Sequence, residues 1–183
     1  MARRILFLGP PGAGKGTQAA MLAEALDIPH ISSGAMLREA VAEGTELGRK
    51  AESIMAAGNL VPDDLVVAMI EERLTRDDAQ AGYILDGFPR NVVQAEALQE
   101  ALGDDAIDAM LLFDVSEDEL VDRLLGRAEE GRADDAEATI RRRFEVYREE
   151  TQPLLDAYAD RVIPVDGIGS VAEVFARVQG ALV

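Results

Sequence analysis

The apolar positions of this chain fall in short unbroken runs separated by longer amphipathic stretches. Arg3 to Gly9 holds the run Ile5–Leu8 and ends in Gly-Pro-Pro-Gly, the pattern of a strand buried on both faces and then a loop. Tyr83–Gly87, Ala109–Val115 and Arg161–Val165 repeat that pattern, and Ile28–Ile31 is a shorter extended piece. Lys15–Leu26 carries Ala19, Leu22 and Leu26 on one helical face. Asn91–Leu102, Glu117–Gly126 and Ser170–Leu182 are also predicted helices, the last capped by Ser170. Residues 35–75 are helical with breaks at Gly44, Gly58 and Pro62. Ala136 to about Tyr158 is a long helical pattern with a kink or break at Pro153. Strand and helix in alternation predict an α/β fold on a parallel sheet. Residues 32–61 and 128–135 stand outside that rhythm and are expected as insertions on one 183-residue domain.

Composition narrows the chemistry. The chain has no cysteine, which removes thiolate metal sites and a Cys nucleophile, and one histidine, His30, which removes a zinc site built on several histidines. No apolar run approaches the roughly 18 residues of a spanning helix, and the N-terminal run is too short for a signal-peptide core. A cytoplasmic protein is therefore expected. The 18 basic and 35 acidic residues give a net charge of −17. Such a chain repels nucleic acid and anionic membranes at long range, so an anionic metabolite needs a locally positive island. Only two of the basic residues are lysines, Lys15 and Lys50, which sharpens interest in a lysine inside a motif.

Lys15 stands in such a motif. Gly9-Pro-Pro-Gly-Ala-Gly14-Lys15-Gly16-Thr17 follows a predicted strand and opens a predicted helix, the setting of a phosphate-binding loop. Glycines let backbone N–H groups turn inward around phosphate oxygens, and the helix start adds partial positive charge. Lys15 supplies a compact point charge for the β- and γ-phosphates. The general pattern has Ser or Thr directly after the lysine to ligate Mg²⁺. Here that place is Gly16, and the hydroxyl comes one later at Thr17.

Further motifs occur along the chain: Ile31-Ser32-Ser33-Gly34-x-Met36-Leu37-Arg38, Gly58-x-Leu60-Val61-Pro62-Asp63, Leu85-Asp86-Gly87-Phe88-Pro89-Arg90 with Gln94, Asp122-Arg123-Leu124-x-Gly126-Arg127, Arg132-x-Asp134-Asp135 and Arg141-x-Arg143. With the phosphate loop, in this order, they resemble the adenylate kinase family in its short form, without the long lid domain. The resemblance implies a P-loop NTPase three-layer core on a five-stranded parallel sheet. It adds a helical nucleotide-binding flap at about 32–61 and a short lid at about 127–137. It implies Mg²⁺-dependent, reversible transfer of the ATP γ-phosphoryl group to AMP, giving two ADP, by a monomer. By the same resemblance Gly12, Ala13, Gly14, Lys15, Gly16 and Thr17 hold the ATP phosphates, with Arg123, Arg127 and Gly169 also on the ATP side. Ser33, Gly34, Arg38, Asn59, Leu60, Val61, Gly87, Phe88, Pro89, Arg90 and Gln94 surround AMP, with Arg132 and Arg143 at the reacting phosphates. Lys15, Arg90, Arg123, Arg132 and Arg143 form the implied catalytic set. Asp86 is expected to hold Mg²⁺ through water, because Mg²⁺ keeps several of its waters. A zinc-binding lid is excluded by the absence of cysteine.

The sequence departs from the family at Ser33, where Thr is common, and at Ala35, where an acid is common. Arg49, Arg141, Arg142 and Arg148 are expected on solvated helix faces, and the Glu71, Glu72, Asp77 and Asp78 stretch on a solvated surface. His30 is expected to pack. Met36 is a candidate for the AMP pocket. The nearest alternative is a kinase for UMP or CMP, which shares the core and short lid. Gln94 favours AMP, because an amide pairs with an adenine edge. A nucleotide-binding switch is a rival from another class, but the guanine motif Asn-Lys-x-Asp is missing.

Overall fold

In the computed structural model, which describes residues 3–103, 107–129 and 137–182, β1 (Arg4–Leu8) is the middle strand of a five-stranded sheet. Its neighbours are β3 (Tyr83–Asp86) and β4 (Ala109–Asp114), with β2 (His30–Ser32) outside β3 and β5 (Val162–Asp166) outside β4. Every pairing is parallel. The register sets Phe7 opposite Asp86 and Ser32 opposite Asp86, so the C-terminal ends of β1, β2 and β3 meet at one edge.

Alternation along the strands feeds two cores. Ile5 and Phe7 point to a cluster with Ala19 and Leu22 of α1 (Lys15–Leu26), Leu111 and Phe113 of β4, and Val174 and Val178 of α9 (Val171–Gly180). Leu6 and Leu8 point the other way, into Ile31, Leu85, Ile70 of α4 (Asp63–Leu74), Leu98 of α5 (Val92–Leu102) and Leu155 of α8 (Gln152–Ala157). A sheet covered on both faces explains why its strands are continuous apolar runs. The Phe7 and Phe113 rings meet at 5.0 Å between centroids, tilted by 50°. Each large aliphatic or aromatic side chain buried here contributes about 1.5–3 kcal/mol.

The segment between β2 and α4 folds as α2 (Ser33–Glu43) and α3 (Glu46–Ala56). Gly44 ends α2 in the left-handed conformation, and Thr45 starts α3 by accepting the Gly48 N–H at 3.0 Å. The predicted breaks at Gly44, Gly58 and Pro62 are all present. Ser170 caps α9 with Glu173 as its reciprocal partner.

The long C-terminal helical pattern divides sooner than its proline suggests. It runs as α7 (Glu137–Val146), a wide π-type turn over Tyr147–Thr151, and then α8. Pro153 has no N–H for the carbonyl four residues earlier, so the disruption precedes it. The turn sets the Thr151 hydroxyl to donate to the Arg90 carbonyl at 2.6 Å. The helix Glu117–Glu129 is α6. Residues 130–136, most of the expected lid, lie outside the described residues, as does Arg132.

Gly48 shows how tightly α3 lies on α2. A Cβ there would overlap the Ala40 carbonyl and crowd Val41 N at 2.6 Å. Alanine is about 1 kcal/mol better than glycine in an open helix, but backbone overlap of this kind costs about 1–3 kcal/mol or more. Gly48→Ala is therefore expected to destabilise the chain, read as a lower urea midpoint. An unchanged or raised midpoint would contradict this packing.

Candidate nucleotide site

The loop from Gly9 to Gly14 joins β1 to α1. Gly9 has φ of +137° and lies so close to Phe113 that a Cβ would sit 2.9 Å from its carbonyl oxygen. Gly14, at φ 87°, is the N-cap of α1 and brings no side chain to its first-turn N–H groups. Lys15 folds back over the loop, its Nζ donating to the carbonyls of Gly9 at 2.8 Å and Pro10 at 2.9 Å. Arg123, on α6, donates from Nε to Glu119 at 2.8 Å and from its guanidinium to the Gly167 carbonyl at 3.1 Å. A guanidinium nitrogen of Arg123 also lies 3.9 Å from where a Cβ of Gly14 would stand. Arg123 therefore lies between the phosphate loop and the turn that begins at Gly167 and holds Gly169. Gln18 is buried in α1 and its Nε2 donates to the Val171 carbonyl at 3.0 Å, fixing the start of α9 beside that turn.

Asp86 stands at the end of β3, facing α1. Its Oδ2 lies 3.5 Å from where a Cβ of Gly16 would be. Burial pushes its carboxyl up. The hydrogen bond from His30 and the charges of Lys15, His30 and Arg90 outweigh that, and the group ends below its ordinary value. His30 was expected only to pack. It instead sets Nε2 3.3 Å from Asp86 Oδ2, because β2 and β3 end side by side.

Next to Asp86, the loop Gly87–Arg90 meets the start of α2. The Ser33 hydroxyl donates to the Gly87 carbonyl at 2.6 Å, and Arg90 Nε donates to the same oxygen at 2.7 Å. A Cβ on Gly34 would lie 3.2 Å from a guanidinium nitrogen of Arg38 and 3.7 Å from one of Arg90. These groups open onto a cavity of about 570 Å³. Of the residues predicted from the sequence, Ser33, Gly34, Arg38, Asn59, Leu60, Val61, Arg90, Gln94 and Arg143 line it. Gly87 stands behind that wall, with a Cβ there 3.1 Å from an Arg90 nitrogen. Phe88 is buried in the core, and Pro89 lines a separate apolar cavity against Leu98 and Leu154. Met36 packs against the second core, and Met55 lines the arginine-bearing cavity in its place.

Among the described residues the lining holds three arginines and no carboxylate, inside a chain of net charge −17. This is the positive island that an anionic ligand requires.

The end of α3 lies on α7. Thr139 donates to the Ala56 carbonyl at 3.2 Å, and Arg142 Nε donates to Asn59 Oδ1 at 2.8 Å. Arg142 is thus a contact between two segments, where the sequence suggested a solvated face. Arg49 donates to the Gly44 carbonyl, and Arg148 pairs loosely with Glu117 at 3.5 Å. Asp78, expected as simple surface, receives both guanidinium nitrogens of Arg73 at 2.8 and 2.6 Å.

A sequence model of the family described as adenylate kinase matches residues 7–163. The adenylate kinase of Mycobacterium sp. (strain MCS) is 54% identical over 181 residues, covering 98% of each chain. That of Mycolicibacterium vanbaalenii is 55% identical over 181 residues, and that of Stenotrophomonas maltophilia (strain K279a) 50% over 184, each again covering 98% of both chains. The chain belongs to the adenylate kinase family. The observed five-stranded parallel α/β sheet is the core expected of that membership.

Adenylate kinases use Mg²⁺ with ATP, and the donor set here fits such an ion. Mg²⁺ is commonly held by one or two carboxylates together with substrate phosphates and water, not by an all-protein cage. Asp86 is a carboxylate held ionised beside the phosphate loop. No cluster of three His, Asp or Glu side chains accompanies it among the described residues.

Two residues with no predicted role organise the adenylate kinase cavity. Asp63 opens α4, and its Oδ1 accepts from Asn91 Nδ2 at 3.0 Å and Gln94 Nε2 at 2.8 Å. Asn91 also caps α5, its Oδ1 accepting the Gln94 N–H at 2.9 Å. The helix-start pattern at Asn91 was visible in the sequence, but the pairing with Asp63, 28 positions away, was not. Asn91→Ala removes a buried cap and one donor to Asp63, and is expected to cost about 1–2 kcal/mol in urea unfolding. A loss below about 0.5 kcal/mol would show that the network adds little to stability.

Proposed function

We propose that this chain transfers the γ-phosphoryl group of ATP to AMP, reversibly, giving two ADP. The observation that carries the reading is the pairing of a phosphate loop with a separate cavity, beyond Asp86, whose charged lining residues are all arginines. The loop suits a triphosphate donor. The cavity suits a monophosphate acceptor, its phosphate met by Arg38, Arg90 and Arg143 and its base by Gln94.

In this reading an oxygen of the AMP phosphate attacks the γ-phosphorus of ATP. The bond from that phosphorus to the bridging oxygen breaks, and ADP leaves. Little covalent work falls to the protein, so its residues act by position and charge. The backbone of Gly12–Thr17 cradles the ATP phosphates while Lys15 leaves its loop carbonyls for a phosphate oxygen. Arg123 already lies between that loop and the Gly167–Gly169 turn, where the adenine of ATP would rest. Arg127 and Arg132 are assigned to the same reaction by their place in the family's motif order. Arg90 and Arg143 neutralise charge on the transferring group from the acceptor side. When bound with ATP, Mg²⁺ supplies further neutralisation of phosphate charge. Asp86 would orient that ion's waters, since Gly16 has no side-chain oxygen to offer.

Residues 32–61 serve in this proposal as a flap over AMP and 127–137 as a short lid over ATP, together excluding water that would otherwise accept the phosphoryl group. The proposed enzyme is a cytoplasmic monomer. Among the described residues no helix is long and apolar enough to cross a membrane.

The test is a coupled assay of ADP formation from ATP and Mg²⁺ with AMP, UMP, CMP or GMP as acceptor. AMP is expected to be strongly preferred. Preference for a pyrimidine nucleotide would keep the mechanism and overturn the substrate, and transfer to none would overturn both. Lys15→Met is expected to lower kcat ~100-fold or more with the fold retained by circular dichroism. Near-normal turnover in that variant would remove Lys15 from the reaction.

A further inference from the structure

We propose that Asp63 sets the base specificity of the acceptor site by fixing which way round the Gln94 amide stands. The inference rests on the reading that Gln94 meets the base of the acceptor nucleotide.

A primary amide has a donor end and an acceptor end, and in an unconstrained site it can turn over to suit either of two opposite ligands. Gln94 cannot turn without penalty. It is buried, with 1% of its surface exposed. Its Oε1 accepts the Arg90 backbone N–H at 2.8 Å, and its Nε2 donates to Asp63 Oδ1 at 2.8 Å. The backbone N–H can only donate, and the Asp63 carboxylate can only accept. Turning the amide over would set oxygen against carboxylate oxygen and NH₂ against N–H, two like-to-like contacts in a buried place. Asp63 is itself held. The same Oδ1 takes a hydrogen from Asn91 Nδ2 at 3.0 Å, and Asn91 is fixed as the cap of α5.

Each end of the fixed amide keeps one position for a ligand. Nε2 has a second hydrogen and Oε1 a second lone pair, and Gln94 lines the cavity. The amide therefore offers a donor beside an acceptor in one order only. Adenine matches that order, with its N6 amino hydrogens beside the N1 or N7 acceptor. Hypoxanthine and guanine carry an oxygen at position 6 and a hydrogen on N1, the reverse order, and match only an amide turned over. The lock thus converts a residue that could read either purine into one that reads the 6-amino form. Cytosine presents the same order as adenine, so the lock gives no discrimination against CMP.

AMP and IMP isolate this effect. They share ribose and phosphate, so Arg38, Arg90 and the flap contribute alike to both. The ratio of kcat/KM for AMP to that for IMP is measured with ATP and Mg²⁺ for the wild-type chain and for Asp63→Asn and Asp63→Ala. Asparagine can offer Gln94 either a donor or an acceptor, and alanine offers neither. Both variants are expected to lower the AMP/IMP ratio about tenfold or more, the scale of one misplaced buried hydrogen bond, with KM for ATP unchanged. A purely structural role for Asp63 would lower AMP and IMP use together and leave the ratio within about twofold of wild type, which overturns the proposal. Wild type that uses neither nucleotide overturns the acceptor reading and this inference with it. Wild type that uses AMP, with an unshifted ratio in the variants, overturns this inference alone.

Should both variants fail to fold, the wild-type chain still decides. Nitrogen-resolved NMR of the ligand-free protein is expected to show slow solvent exchange for the Gln94 Nε2 proton directed at Asp63. Fast exchange of both Nε2 protons would mean an amide free to turn, and would overturn the lock.

Discussion

Parallel pairing of β1 with β3, in the register that sets Phe7 opposite Asp86, is the constraint on which the site depends. It delivers two loops to one edge of the sheet. Gly9–Gly14 leaves β1 there and Gly87–Arg90 leaves β3. The same register holds only because both strands are apolar on both faces and both faces are covered. A slip by one residue would exchange Ile5 and Phe7 for Leu6 and Leu8, and would carry Asp86 away from α1. The energy of the two cores therefore specifies the distance between the phosphate loop and the carboxylate opposite it.

That edge gathers charge against the trend of the chain. A net charge of −17 gives a repulsive field for any nucleotide approaching from solution. The site answers at short range, where placement matters more than the total. Arg38, Arg90 and Arg143 reach one cavity from α2, from the loop after β3 and from α7, three separate elements. Asp86 is the counterweight. It is buried yet held ionised by His30, Lys15 and Arg90, so Lys15 and Arg90 have an anion between them and do not repel one another unchecked. A kinase that must bind phosphates and then release them benefits from cations that have protein partners to return to. Lys15 on the Gly9 and Pro10 carbonyls and Arg90 on the Gly87 carbonyl are such resting places.

Much of this was legible in the sequence because it is local. The phosphate loop is a contiguous string whose glycines and lysine state their own geometry, and the strands announce themselves as short apolar runs. The breaks at Gly44, Gly58 and Pro62 are likewise punctuated by residues with few conformational choices. What was not legible depends on contacts across the chain. Asp63 reads as an ordinary acid in the first turn of a helix until α4 and α5 pack together and Gln94 arrives beside it. His30 reads as one histidine in an apolar stretch until β2 pairs with β3. Arg142 looks like any arginine on a solvated helix until Asn59 meets it. Pro153 marks a disturbance correctly, but the hydrogen bond it cannot make would end on the carbonyl of Glu149, four residues earlier, so the helix widens before the proline and brings Thr151 to Arg90.

These long-range contacts share a feature that bears on how the molecule would work. Thr151 holds the carbonyl of Arg90, Ser33 and the Arg90 side chain hold the carbonyl of Gly87, and Gln94 holds the N–H of Arg90. The backbone of one four-residue loop is thus tied to the start of α2, the turn before α8 and the side of α5. A loop so restrained presents a guanidinium at a fixed place, and would do so even if α2 and α3 closed over it as proposed, because the restraints attach at the start of α2 and not along the two helices. Of the partners that hold this loop only Ser33 belongs to the helices α2 and α3, and it is the first residue of α2. A fixed Arg90 loop and a closing flap, if α2 and α3 act as one, are therefore compatible in one short chain, and the hydrogen bonds that hold the loop are the ones the sequence pattern could not display.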